Sequence, residues 1–332
     1  VLPLYSVLVP LYREERVVAQ LVAALEGLIY PRDRVEVLLL VEDCDAATRE
    51  AIGRCPLPGW FRVVVVPEGS PRTKPRALNR GLAQARGELV VVFDAEDIPE
   101  PDQLVKAAAA FLAGDERLGC VQAALNIYNP EDGWLARQFA IEYSALFDAI
   151  LPALERHRLA VMLGGTSNHF RRSTLLDVGG WDPCNVTEDA DLGLRLARGG
   201  LHVGMLASTT WEEAPPNRRV WNGQRGRWLK GWMQTWIAHM RDPVRAWREL
   251  GAWRFLGLQV LTGGVILSAL VHPWCYLALG WLVAESVSSS VGAGVWEWAI
   301  LMAALVNLAA SYAAAIVLGS RAAGRRGHPI GG

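Results

Sequence analysis

Two stretches near the end of the sequence, residues 255–284 and 298–320, contain no Asp, Glu, Lys or Arg. Each exceeds the roughly 20 residues that a helix needs to cross about 30 Å of hydrocarbon. Such runs either fill a large soluble core or sit in a bilayer, where only a helix or a closed barrel satisfies the backbone. Tryptophan favours the bilayer. Eleven of the 14 Trp residues lie from Trp211 onward, and Trp253, Trp296 and Trp298 stand at the ends of the apolar runs, where amphipathic rings settle at the headgroup level. Arg245, Arg248 and Arg254 precede the first run and Arg321, Arg325 and Arg326 follow the second, whereas residues 285–297 hold no Lys or Arg. The positive-inside rule then predicts two transmembrane helices, about 255–284 and 297–320. The N-terminal part and residues 321–332 fall on the cytoplasmic side of the inner (plasma) membrane.

Length leaves room for one further domain. Of the 332 residues, residues 1–215 suit a single core, since cores stop growing near about 250 to 300 residues. Residues 216–253, rich in Trp and Arg, read as an amphipathic interfacial segment. The chain is 52% hydrophobic, with the excess at the C-terminal end, and its formal net charge of −1 speaks against a nucleic-acid partner. Cys44, Cys55, Cys120, Cys184 and Cys275 form no Cys-x-x-Cys pair, so no zinc site or disulfide framework follows. The sequence begins at Val1, and its first apolar run, residues 5–11, is too short for a signal peptide; a fragment of a longer membrane protein is expected.

Alternation sets the fold class. Strand-like runs at 6–9, 35–41, 62–66 and 89–93 alternate with helical patterns at 14–28, 46–52 and 75–85. A βαβ series builds a mostly parallel sheet covered on both faces, with ligands beyond the C-terminal ends of its strands. Polar residues gather at those ends: Tyr12 to Glu14 after the first run, Glu42 and Asp43 after the second, Asp94 to Asp97 after the fourth. Beyond them the pattern predicts a helix to about Ala113, a strand at 119–124, one long amphipathic helix at 134–156 and a capped helix at 189–198.

Three clusters carry chemistry. Asp94-Ala95-Glu96 leaves an apolar strand with two hard oxygen donors close enough to chelate one cation, or else forms a solvated turn ahead of the next helix. Thr187-Glu188-Asp189 suits a helix start, and a carboxylate held there is rigid enough to take a proton from a hydroxyl. Gln224-x-x-Arg227-Trp228 sets a planar ring beside hydrogen-bonding neighbours, and an indole face can bury the C–H surface of a pyranose. Phosphate-loop, dinucleotide and nucleophile-elbow fingerprints are absent, which removes the main support for kinase, dehydrogenase and hydrolase readings.

In this order, over residues 7–236 and ahead of two apolar runs, the clusters resemble the cellulose-synthase-like branch of the family-2 glycosyltransferases, the processive polysaccharide synthases. The resemblance implies an α/β domain of GT-A type at 1–215, the interfacial segment at 216–253, and two transmembrane helices within 254–320. It implies inverting transfer from a nucleoside-diphosphate sugar, UDP-linked, with Mg²⁺ or Mn²⁺ as cofactor, to a growing β-linked polysaccharide. Asp189 takes the role of base, and Asp94 with Glu96 or Asp97 that of metal ligands. Glu14, Asp43, Lys74 and Asp94 fall to the nucleotide, and Thr187, Glu188, Gln224, Arg227 and Trp228 to the diphosphate and acceptor. Asn79 pins the Lys74 loop, Gly164 to Asn168 lie under the acceptor, and His169 is expected to be packed. The implied partners are the sugar donor, a glycan or lipid-linked acceptor, the bilayer, and additional membrane or export subunits, because two helices make a poor channel. Two other readings stay open: transfer of one sugar to a lipid carrier, and a non-catalytic nucleotide-binding membrane scaffold, which Asp-x-Glu in place of Asp-x-Asp favours.

Overall fold

The computed structural model describes residues 1–288 and 294–326. Its first half alternates as the periodicity predicts: β1 (Tyr5–Leu11), α1 (Val18–Glu26), β2 (Val35–Glu42), α2 (Ala46–Arg54), β3 (Phe61–Val66), α3 (Lys74–Gln84) and β4 (Leu89–Val92). There follow β5 (Ile98–Pro99), α4 (Gln103–Ala113), β6 (Leu118–Ile127), α5 (Trp134–Ala145), α6 (Leu151–Arg156), β7 (Asn168–Arg171), α7 (Arg172–Asp177), α8 (Glu188–Arg198) and β8 (His202–Glu212). The chain then turns helical, through α9 (Arg218–His239), α10 (Pro243–Leu258), α11 (Gly264–Ser288) and α12 (Val295–Arg325).

One sheet runs through the domain in the order β3-β2-β1-β4-β7-β6-β8-β5. Strands β1 to β4 pair in parallel and β6 pairs in parallel with β8, whereas β7 lies antiparallel to both β4 and β6. Because β1, β2 and β4 alternate between two buried faces, each face needs its own cover. Leu8, Leu38, Leu40, Val90 and Val92 pack with Ala77, Leu78 and Leu82 of α3, while Val7, Val9, Val37, Leu39 and Val91 pack with Leu21 and Leu25 of α1 and Leu104 and Phe111 of α4. Full burial of each large aliphatic chain contributes about 1.5–3 kcal/mol, so this sandwich fixes the strand ends that carry the polar residues.

Strand β8 was not predicted, and its polar content explains why. Ser208, Thr209 and Thr210 are buried where an apolar alternation is expected. Buried hydroxyls must find partners: Ser167 Oγ donates to Thr210 Oγ1 at 2.6 Å, Gln103 Nε2 to the same oxygen at 3.0 Å, and Ser208 Oγ to Glu100 Oε2 at 2.9 Å. His169 joins this network as a packed residue. The Tyr5 hydroxyl bonds its Nδ1 at 2.6 Å and Gln103 Oε1 its Nε2 at 3.2 Å, and burial lowers the imidazole to about 3, keeping it neutral. The expected long helix at 134–156 is present as continuous helical backbone; α5 passes into α6 through a π-helical turn at Leu146–Ile150, ahead of Pro152, a residue without an N–H to continue the ladder.

The apolar end is helical. Within the helical stretch Pro243–Glu285 lies a segment of mean hydropathy 1.7, long and apolar enough to cross a membrane and for the most part unburied. Gly251 kinks the stretch, with φ 73° and ψ 164°. The second expected span, 297–320, lies inside α12, but its described apolar part, Trp298–Ala310, is shorter than a bilayer crossing. Two spans are therefore an expectation that goes further than the described helices. The predicted tail is partly docked: Ala322 and Ala323 are buried, and Arg326 pairs with Asp148 at 2.5 Å and donates to Thr209 Oγ1 at 2.9 Å.

Candidate active site

Beyond the C-terminal ends of β1, β2 and β4 lies a cleft of about 350 Å³, walled by Pro10, Tyr12, Glu14, Glu42, Arg72, Lys74, Asp94 and Glu96. Lys74, at the start of α3, ties it together, with Nζ 2.5 Å from Asp94 Oδ1 and 2.8 Å from the carbonyl oxygen of Gly165. Burial alone would lower the lysine pKa, but Asp94 and Glu188 outweigh it and hold the ammonium above its ordinary value. Glu14 is pushed up to about 7 by burial and then by the charges of Glu96 and Asp94. Glu42 is buried and held by Arg76 at 2.6 Å. Asp43, the residue expected at the nucleotide, is exposed, pairs with Arg49 at 2.9 Å and does not line the cleft.

The acidic loop after β4 divides its labour. Asp97 is only 1% exposed; it accepts the N–H of Asp94 at 2.7 Å and the Thr166 hydroxyl, so it shapes the loop. Glu96 is exposed on the cleft wall beside Asp94. Of the two acids left open by the sequence, Glu96 is therefore the one a bound ligand reaches.

A second acidic group arrives from α8 and β8. Asn79 of α3 grips Trp181 twice, donating to its carbonyl at 2.7 Å and accepting its N–H at 3.0 Å, while Thr73 Oγ1 donates to the Pro183 carbonyl at 2.9 Å. Those bonds fix the approach to Thr187. Thr187 occupies the N-cap position, yet its side chain makes no cap bond; its hydroxyl lies 3.4 Å from Thr235 Oγ1 instead. Gly231 of α9 permits that contact, since a Cβ there would stand 2.4 Å from Thr187 Cγ2. Asp189 Oδ1 accepts the N–H of Ala190 at 2.7 Å, and a methyl group on Gly165 would sit 3.6 Å from Asp189 Oδ2 and 3.9 Å from Lys74 Nζ. Lys74, Asp94 and Asp189 thus meet around Gly165.

Three carboxyls on this side ionise late. Burial pushes Asp189 up to about 6; burial and the Asp189 charge push Glu188 up to about 7. Glu212, at the end of β8, is raised to about 8 by burial and by Asp94 and Glu96, with the Tyr143 hydroxyl bonded to it. Sequence reasoning missed Glu212 along with its strand; the signal available was Trp211-Glu212-Glu213 closing a run of threonines.

Helix α9 lies against this group. Gln224, Trp228, Gly231 and Thr235 recur at helical spacing, and Asn185 Nδ2 donates to Thr235 Oγ1 at 2.9 Å. Trp228 is half-buried and stacks on Phe139 with centroids 6.3 Å apart and planes at 29°; Phe139 in turn lies 4.6 Å from Tyr143, the partner of Glu212. Arg225, not singled out by the sequence reading, has its guanidinium 4.7 Å from the Trp228 centroid, 5.1 Å from Phe139 and 5.2 Å from Trp221, and it pairs with Glu142. Arg227 is exposed, and the Gln224 Oε1 atom is buried without a partner.

Among the described residues no three acidic, His or Cys side chains form a ready-made metal cage. The donors are nonetheless suited to a hard divalent cation. Asp94, Glu96, Glu188, Asp189 and Glu212 converge on a single lysine, leaving negative charge that a cation held by Asp94 and Glu96 would balance.

Comparisons with known proteins agree on this architecture. A family model described as glycosyltransferase like family 2 matches residues 3–231. A probable glycosyltransferase, YdaM, of Bacillus subtilis (strain 168) is 30% identical over 233 residues, covering 69% of this chain and 55% of its own. The beta-monoglucosyldiacylglycerol synthase of Synechocystis sp. is 30% identical over 301 residues, 84% of this chain and 61% of its own. Cellulose synthase 2 of Novacetimonas hansenii is 27% identical over 249 residues, 73% of this chain and 15% of its own. The chain thus spans about half to three-fifths of the first two relatives. Among solved structures, a mannosyltransferase of Pyrobaculum calidifontis in complex with GDP-Man and Mn²⁺ superposes with a TM-score of 0.62 at 22% identity, covering 98% of this chain and 87% of that one. The shared fold is the GT-A type.

Proposed function

The chain belongs to glycosyltransferase family 2, and from that premise we propose that it moves a sugar, with inversion, from a UDP-sugar to the end of a growing β-linked polysaccharide at a membrane surface. The observation that carries this reading is the meeting of Lys74, Asp94 and Asp189 around Gly165. In the proposed reaction the acceptor hydroxyl oxygen attacks the anomeric carbon from the face opposite the diphosphate. Its proton passes to the Asp189 carboxylate as the bond from the anomeric carbon to the diphosphate oxygen breaks. A carboxyl with a pKa of about 6 is mostly ionised at pH 7 and still basic enough for that task.

Lys74 turns from Asp94 toward the donor phosphates, a charge-assisted contact. Asp94 and Glu96 are the residues that would hold Mg²⁺ or Mn²⁺, which when bound supplies positive charge beside the departing diphosphate. Trp228 and Gln224, whose buried carbonyl has no partner, face the acceptor in this reading. Membrane attachment rests on the exposed apolar segment within Pro243–Glu285 and on Arg245, Arg248 and Arg254 ahead of its charge-free run, with the site on the cytoplasmic side of the plasma membrane.

A second reading has its own support. The alignment with the lipid glucosyltransferase of Synechocystis extends over 301 residues, further than the sheet domain, which suits one sugar added to a lipid. Full-length protein in nanodiscs, given labelled UDP- and GDP-sugars with Mn²⁺, separates the readings by product. High-mass glycan supports the first and a single lipid-linked sugar the second; no transfer or donor hydrolysis from any sugar nucleotide overturns both and leaves the scaffold.

A further inference from the structure

At the opposite end of the sheet from the donor cleft, the starts of β6 and β8 border a cavity of about 580 Å³ whose wall includes Arg117, Arg156, Arg158 and Arg254. The four come from the turn before β6, the end of α6 and its following loop, and α10. None has an ion-pair partner among the described residues, whereas Asp115 in the same wall lies 3.7 Å from His202. Arg254 is the fixed member. Its Nε donates to the Arg158 carbonyl at 3.1 Å, and its Nη1 donates to the carbonyls of Ala197 at 3.1 Å and Leu201 at 3.3 Å. Those bonds use three of the five N–H donors of the guanidinium and leave Nη2 free. Burial, Arg117 and Arg158 all disfavour its charge; Asp115 and Glu155 also line the cavity, yet among the described residues neither forms an ion pair with any of the four arginines.

We propose that this cavity binds a phosphate-bearing anion, through the free Nη2 of Arg254 with Arg117 and Arg158 closing over it. Guanidinium groups hold phosphate oxygens through short charge-assisted contacts, and several arginines around one cavity suit an anion that carries more than one negative charge. The volume exceeds that of one phosphate and takes either a diphosphate or a lipid headgroup. Arg254 stands three residues beyond the Gly251 kink and directly ahead of the charge-free run 255–284, so the bound anion sits at the base of that run. This site is separate from the donor cleft and does not depend on which sugar is transferred.

The experiment uses the full chain in phosphatidylcholine nanodiscs. Inorganic pyrophosphate is titrated by calorimetry into wild type, Lys74→Met and the double variant Arg117→Gln/Arg158→Asn, asparagine being chosen because Arg158 has a φ of 55°. A parallel arm replaces a third of the lipid with phosphatidylglycerol and follows the melting temperature. Pyrophosphate binding that survives Lys74→Met and weakens at least tenfold in the double variant supports a soluble ligand. A phosphatidylglycerol stabilisation lost in the double variant supports a headgroup. Binding lost only in Lys74→Met, or responses identical in wild type and the double variant, overturn the site. Arg117→Gln/Arg156→Gln serves the same purpose should the first double variant not fold.

Discussion

On the wall built from β1 to β4 and α3, most carboxylates are answered within the fold: Glu42 by Arg76, Asp94 by Lys74, Asp97 by the Asp94 N–H and the Thr166 hydroxyl, with Glu14 and Glu96 the exceptions, both raised by burial and by neighbouring acids. On the wall built from α8 and β8, Glu188, Asp189 and Glu212 share Lys74 as a nearby cation, and all three ionise late, burial being the largest cause. The first wall is arranged to hold shape without ligand. The second holds buried carboxyls whose charge a cation or a proton would relieve, the usual sign of a site traded against stability.

Substitutions break this contrast in graded ways. The largest effect belongs to Asp189→Asn, expected to slow sugar transfer by about 10²–10⁴-fold, the usual contribution of a general base, while donor affinity measured by calorimetry changes less than about threefold. Loss of donor binding together with transfer would move Asp189 to the donor wall. Next, Lys74→Met removes a charge-assisted contact of about 1.5–3 kcal/mol and should weaken donor binding roughly 10- to 100-fold in the same titration. Unchanged affinity would leave Lys74 as a structural tie between Asp94 and Gly165.

Smaller effects sharpen it. Gly231→Ala drives a methyl into Thr187 and should cost about 1–3 kcal/mol of stability, read by denaturant unfolding, with kcat lowered because α9 is pushed off the Asp189 turn. Glu212→Gln tests the buried charge. Its folded pKa of about 8 lies above the ordinary 4.5, so the native state holds more protons across that window. Stability from Glu212 is full below the unfolded value and is lost as pH rises through about 8. The variant should therefore melt higher than wild type at pH 9 and match it at pH 5.

Much of the donor wall was legible because parallel strands buried on both faces read as apolar runs, and the polar residues following them must lie at strand ends. Asp94 and Glu14 were placed at strand ends that way, whereas Lys74 and the pinning role of Asn79 came from the resemblance alone. Asp43 was preferred over Glu42, yet Glu42 is the acid in the cleft: adjacent residues at a strand end point to opposite sides, and spacing does not say which side is open. The other wall was half hidden. Strand β8 keeps its hydroxyls by bonding them to Gln103, Ser167 and Glu100, so its alternation fails and Glu212 vanishes with it. Arg225 was passed over because the Gln-x-x-Arg-Trp pattern draws the eye to Arg227, while the aromatic cage around Arg225 is assembled from α5 and α9 and exists only in three dimensions.

The pH dependence of kcat/KM for sugar transfer tests the central contrast most directly, because it reports the ionisation of the free enzyme. The uncompensated wall predicts that kcat/KM rises with pH through an apparent midpoint of about 6, the value at which Asp189 becomes available as a base. A profile already flat down to the ordinary carboxylate range near about 4 would mean that the acids of α8 and β8 are as well answered as those of the donor wall, and the account would be wrong.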